Sequence, residues 1–330
     1  MSYAAYPKVE LHTHLEGAAP PAFIRGLAKE KNIDISSIFT PEGGYDFRDF
    51  WHFLDVYEAA TSTLQGPEDF KRLTLAVLEE SAKSGVIYTE TFLSPDFCGG
   101  RDVAAWKEYL HAIQEAADEA EAAFGIILRG IITPIRHFGH EKARETAVCA
   151  QETAGDWIVG FGIGGDEKAG HLSDFKYAFD MAREAGLHIT AHAGEWGGPE
   201  SVRDALDHLQ VERVGHGVRA IEDDALVDRL AREGVVLEVC PGSNVTLGVY
   251  SGWDQHPIRS LRERGVKVTV STDDPPFFHT TMTDEFNNLS NTFGWNEDDF
   301  AALNNTAAKA AFCNEETRAR VLKRLENTDV

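Results

Sequence analysis

The run Leu187-His188-Ile189-Thr190-Ala191-His192, a helical stretch over about 199–209, and the run Val211-Glu212-Arg213-Val214-Gly215-His216 follow one another directly. They read as strand, helix and strand, and both strands stop on a histidine. Short, largely apolar strands separated by single helices belong to a parallel sheet covered on both faces. The same unit recurs outward in both directions. Upstream lie the strands Ile158–Gly165, Gly125–Ile132, Gly85–Phe92 and one from Val9 to His14; downstream lie Val235–Cys240 and Val266–Ser271. Helices are predicted between them at about 101–124, 139–154, 173–186, 222–233 and 257–264. Eight such units in 330 residues predict a closed (β/α)₈ TIM barrel. The rival, an open doubly wound sheet, lacks a G-x-G-x-x-G after its first strand. The first βα connection carries extra helices. One opens on Pro20-Pro21, where missing N–H groups cost nothing, and another spans about Pro67 to Ser84. Residues 283–326 form helical segments that pack outside the barrel. No linker or low-complexity tract divides the chain, so residues 1–330 read as a single domain.

With 43% hydrophobic and 26% charged residues the composition is that of a globular protein. Thirty-one basic against 54 acidic side chains give a net charge of −23. Such a field repels phosphate backbones and anionic lipid, so neither nucleic acid nor a membrane is the expected partner. No apolar run reaches the roughly 20 residues of a membrane span, and the N-terminus has no basic-then-apolar signal pattern. Cys98, Cys149, Cys240 and Cys313 stand far apart, without the spacing of a disulfide framework or a thiolate zinc site. A cytoplasmic location is expected. The sequence selects no oligomeric state.

In a barrel the carboxyl ends of the strands form one rim, where sites are built. Val9-Glu10-Leu11-His12-Thr13-His14-Leu15-Glu16-Gly17 places His12 and His14 two residues apart, hence on one face of the first strand. His192 closes strand five, His216 strand six, and Asp273-Asp274 strand eight. Singly, each has a plain alternative, such as a packed core histidine or a turn before proline. Their coincidence at strand ends points to a site. Three imidazoles and one carboxylate suit Zn²⁺ with room for a water. Glu195 can serve as general acid or base, His216 can orient or deprotonate the water, and Asp274 can meet a ligand N–H. His52, His111, His137 and His208 fall in helices or connections and read as surface or packing residues. Phe47, Phe50, Phe53, Leu54 and Tyr57 recur at helical spacing, as a core stripe or as an apolar lid.

Taken together, H-x-H-L-E-G, T-A-H-A-G-E-x-G-G-P-E, V-E-R-V-G-H-G, E-V-C-P-G-S-N and S-T-D-D-P resemble the adenosine deaminase family of zinc-dependent aminohydrolases, over nearly the whole chain. The resemblance implies one Zn²⁺ per chain, on His12, His14, His192 and Asp273. It implies that Glu195 protonates the purine ring at N1, that His216 orients and activates the water, and that Asp274 meets N7. Gly165 would offer its N–H to N3. The helix bearing Phe50, Phe53, Leu54 and Tyr57 resembles that family's lid. The expected partner is thus a small purine, and the expected reaction is hydrolytic loss of the 6-amino group.

The substrate signals are mixed. Adenosine deaminases resembling this chain carry Asp where Glu16 stands, in contact with the ribose, and Glu16 is similar instead to members acting on free adenine. Gly215-His216-Gly217 and Trp196-Gly197-Gly198-Pro199-Glu200 look like the nucleoside enzymes. The expectation is adenosine and 2′-deoxyadenosine, with adenine or 6-aminodeoxyfutalosine as alternatives. A binuclear amidohydrolase commonly needs a lysine at the end of strand four, and Gly162-Ile163-Gly164-Gly165 has none. A purely structural zinc would be a closed site without a poised acid and base.

Overall fold

The computed structural model describes residues 3–326. Eight parallel strands run in the order of the chain: β1 Lys8–His14, β2 Val86–Leu93, β3 Ile127–Ile132, β4 Ile158–Phe161, β5 His188–Ala193, β6 Arg213–His216, β7 Val236–Val239 and β8 Lys267–Val270. Consecutive strands pair throughout. The ring closes just past the end of β8, where Asp273 bridges to Thr13 of β1. There the Asp273 N–H donates to the His12 carbonyl and the His14 N–H donates to the Asp273 carbonyl, both at 3.1 Å. This is the predicted (β/α)₈ barrel.

The outer helices form for ordinary reasons. Asp102 caps Val103–Phe124, Asp223 caps Asp224–Glu233 and Thr281 caps Met282–Phe293, each side chain accepting a backbone N–H of the first turn. Each buries one apolar stripe, such as Leu226, Val227 and Leu230, against the strands. The first connection holds Pro21–Lys31, Phe50–Thr61 and Pro67–Lys83. The C-terminal region is three helices, Met282–Phe293, Glu297–Ala310 and Glu315–Glu326. The sequence reading missed a short helix, Pro241–Thr246, directly after β7. The helix expected over 199–209 ends as an α-helix at Asp204 and continues as a π turn, Ala205–Leu209.

Polar residues also fill the barrel interior. Arg213 is 1% exposed and donates through Nε to Glu238 at 2.6 Å and through Nη1 to Glu90 at 2.7 Å. Phe312, just after the second C-terminal helix, lies under the guanidinium, 3.5 Å from its centre. Burying ions in this way is tolerable because each carboxylate faces the guanidinium.

Candidate active site

The register between β5 and β6 sets His192 beside Gly215, and β1 and β8 meet at the closure. Residues that are 259 positions apart in the chain, His14 and Asp273, therefore face one another. His14 Nε2 lies 3.2 Å from His192 Nε2 and 3.3 Å from Asp273 Oδ1, and His12 Nε2 lies 3.6 Å from the same oxygen. One donor atom from each of the four residues falls within 4.8 Å of the other three. Like-facing imidazole nitrogens this close, with a carboxylate, are a donor set for a borderline cation such as Zn²⁺. A second observation tests the fit. Among the described residues, His12 Nε2 is buried without a hydrogen-bond partner, and a cation supplies one. Its other nitrogen, Nδ1, lies 2.8 Å from Glu238 Oε2, which fixes the ring.

Asp273 has φ +67° and His216 φ +61°, the left-handed region that ordinary residues avoid. Such strain at two rim positions whose side chains approach to 3.9 Å is the kind retained at working sites. His216 Nδ1 and Glu195 Oε1 are each 3.3 Å from Asn244 Nδ2, and His256 Nε2 lies 3.2 Å from Asn244 Oδ1. Asn244 thus sits between the candidate acid and the candidate base. Burial pushes the Glu195 carboxyl well above the usual range, and the Asp273 and Glu167 charges push the same way. Burial pushes the His216 ring down to about 3, so it is neutral at pH 7. Asp274 is pushed up by burial, then by Asp273 and Glu16, and its Oδ1 is buried with no partner among the described residues. Room for that carboxylate exists only because position 17 is glycine; a Cβ there would fall 1.5 Å from Asp274 Oδ1.

Over these groups lies a cavity of about 70 Å³. His14, His192, Glu195, His216, Asp273 and Asp274 form its floor, and Phe50, Phe53, Leu54 and Tyr57 of the Phe50–Thr61 helix roof it. Gly165 lines one wall at φ +94°, where any Cβ would strike the His137 ring at 2.8 Å. The predicted stripe is thus both core and lid, since Phe53 also packs on Phe277 and Phe278. Two positions differ from the sequence reading. His137, taken for a surface or packing residue, lines the cavity. Glu16, expected against the ligand, is not part of the cavity wall. It lies behind Tyr57, whose hydroxyl donates to it at 3.4 Å, and burial pushes its carboxyl up to about 8. Asn244 and Glu238 went without a role, although both stand in the E-V-C-P-G-S-N motif, whose order marks them.

The profile of the family described as Adenosine deaminase matches residues 7–328. The chain belongs to that family. It is 46% identical to a protein of Chelativorans sp. named adenine deaminase, covering 97% of this chain and 98% of that one. The crystal structure of an adenine deaminase from Arthrobacter aurescens superposes with a TM-score of 0.89 at 32% identity, covering 98% of each chain. A zinc-bound amidohydrolase structure from Burkholderia ambifaria superposes at 0.86 with 27% identity, over 98% of this chain and 92% of that one. Adenosine deaminase family members are metal-dependent, and this member is a hydrolytic deaminase of an aminopurine. The comparisons carry the adenine alternative further than the expected adenosine. Among the described residues, no helix is long and apolar enough to cross a membrane.

Proposed function

We propose that the chain, acting as one domain, hydrolyses adenine to hypoxanthine and ammonia. The likeness over nearly the full length to relatives named adenine deaminase carries this reading. The cavity fits a planar purine, with the aromatic rings of the Phe50–Thr61 helix on one side and polar groups on the floor.

In this reading one zinc ion is held by His12, His14, His192 and Asp273. When bound, zinc supplies a nucleophilic hydroxide at neutral pH. The chain's own groups do the rest. Glu195, kept protonated by burial, donates its proton to ring N1 and so removes the aromatic resistance to attack at C6. His216 is neutral, stands with Nε2 3.9 Å from Asp273 Oδ2 beside the metal donor set, and orients the attacking water. The Asp274 carboxyl, also held neutral, meets N7, and the Gly165 N–H meets N3. The phenyl rings and Tyr57 cover the base and exclude bulk water, which strengthens each of these contacts.

The test is loss of the 6-amino chromophore, followed by ultraviolet absorbance with adenine, adenosine, 2′-deoxyadenosine and 6-aminodeoxyfutalosine side by side. Turnover of adenine with the nucleosides inert is expected. Fast turnover of adenosine with adenine inert overturns the assignment.

A further inference from the structure

Glu167 lies in the segment that follows β4, two residues past Gly165, and is 5% exposed. Among the described residues, the hydrogen bonds to its carboxylate come from backbone N–H groups and one hydroxyl, none from a lysine or arginine. Instead four consecutive backbone N–H groups of another segment converge on it. Oε1 accepts from Gly194 at 2.5 Å, and Oε2 accepts from Glu195 at 3.1 Å, Trp196 at 2.5 Å and Gly197 at 2.9 Å. The Ser201 hydroxyl adds a fifth donor to Oε1 at 2.5 Å. The approach is so close that a Cβ at position 197 would lie 2.7 Å from Oε1, so only glycine fits there.

The ring of amides is the backbone that carries Glu195. On its other side, Arg219 Nη1 donates to the Trp196 carbonyl at 2.7 Å. The Glu195 side chain, by contrast, has a single hydrogen-bond partner among the described residues, Asn244 at 3.3 Å. Where its carboxyl points is therefore decided mainly by where its backbone is held. The far end of the Glu167 segment is fixed as well, since Arg136 donates to the Ala169 carbonyl at 2.8 Å and to that of Gly170 at 3.0 Å. One short segment thus presents Gly165 to the cavity and grips the loop of the acid.

We propose that Glu167 is a positioning residue. Through the amides of residues 194–197 it holds the Glu195 carboxyl in line with the purine ring nitrogen, and it ties that acid to the Gly165 wall that receives the same ring. Four backbone N–H groups and one hydroxyl offset the burial of this carboxylate, hydrogen bonds to such a group being charge-assisted. A displacement of about 1 Å at a proton donor costs on the order of 10²-fold in rate. The proposal rests on the role given to Glu195 above.

Glu167→Gln keeps the volume but turns an NH₂ group towards the amides, so it disrupts the grip without emptying the space. Expected are a roughly 100-fold fall in kcat, zinc content by mass spectrometry at the wild-type level, and hypoxanthine binding within about threefold. The substrate is whichever aminopurine the wild type turns over. In a Glu195→Gln background the second change should cost almost nothing, because residues acting as a unit are non-additive. A kcat within threefold of wild type overturns the proposal. So does a loss of hypoxanthine affinity as steep as the loss of kcat, or an equal cost in both backgrounds. Should the Gln variant not fold, Glu167→Asp, which keeps the charge and loses reach, is read in the same way. Failure of the Glu195 assignment shows itself separately, as near-normal turnover by Glu195→Gln alone.

Discussion

His12 Nδ1 and Glu238 Oε2 lie 2.8 Å apart, and both side chains are completely buried. Glu238 also accepts from Arg213 and from Thr190, and although burial opposes its charge, Arg213 and His12 hold its carboxyl at about 2. The carboxylate is therefore ionised at every pH at which the protein works, and it keeps the proton of His12 on Nδ1, leaving Nε2 free for a cation. Glu238→Gln should weaken zinc binding by about 10- to 100-fold, measured by competition with a chromophoric chelator. Unchanged affinity would show that the pair is structural only.

Asn244 gives its amide to both the acid and the base. Glu195 and His216 each sit 3.3 Å from Nδ2, so Asn244→Asp would replace a donor by an acceptor against two groups that need one. A kcat reduced at least about 10-fold is expected from the lost hydrogen bonds and the added like charge. Steady-state kinetics at saturating substrate measure it, and a wild-type kcat sinks the assignment.

Glu16 carries a proton at pH 7, because burial pushes it up to about 8. Glu16→Gln imitates that neutral form, so turnover below pH 7 should stay within about threefold of wild type. Above pH 8 the wild-type carboxylate adds a negative charge near Asp274, and the variant should then be the faster enzyme. A pH–rate profile of the two proteins decides it. Equal profiles above pH 8 would remove Glu16 from any electrostatic role.

Glu285 accepts from Thr280 at 2.7 Å and from the Gly242 N–H at 3.1 Å inside the protein, where burial pushes its carboxyl up to about 8. In the unfolded chain it ionises near 4.5. The folded protein therefore binds the proton more tightly, and its stability is greatest below pH 4.5 and is lost as pH rises towards 8. That loss amounts to as much as about 5 kcal/mol over the interval, at 1.36 kcal/mol per unit. Glu285→Gln should flatten it: the difference in Tm between variant and wild type should grow from pH 5 to pH 8 and then level off. A constant difference contradicts the reading.

The barrel was legible because each strand is short, mostly apolar and closed by a turn or a helix, as at Val235–Cys240 and Val266–Ser271. The rim residues were legible for the same reason, since a parallel sheet sends every strand end to one side. His137 was not, because it stands in a connection, and only the path of that connection over Gly165 brings it to the cavity. The contacts of Glu238 and Glu167 were silent as well. The partners of each carboxylate lie at least 25 residues away in the chain, and no spacing announces them. The partner of Glu16 was equally silent. Glu16 follows a rim strand directly, and Tyr57, which lines the cavity, reaches it from the first connection.

Closure of the ring at Asp273 couples the candidate metal centre to the fold. The same three residues that lace the first strand to the last through their backbones, His12, His14 and Asp273, point their side chains at one shared centre. A cation seated there would bridge the seam, so part of its binding free energy would become stability of the closed ring.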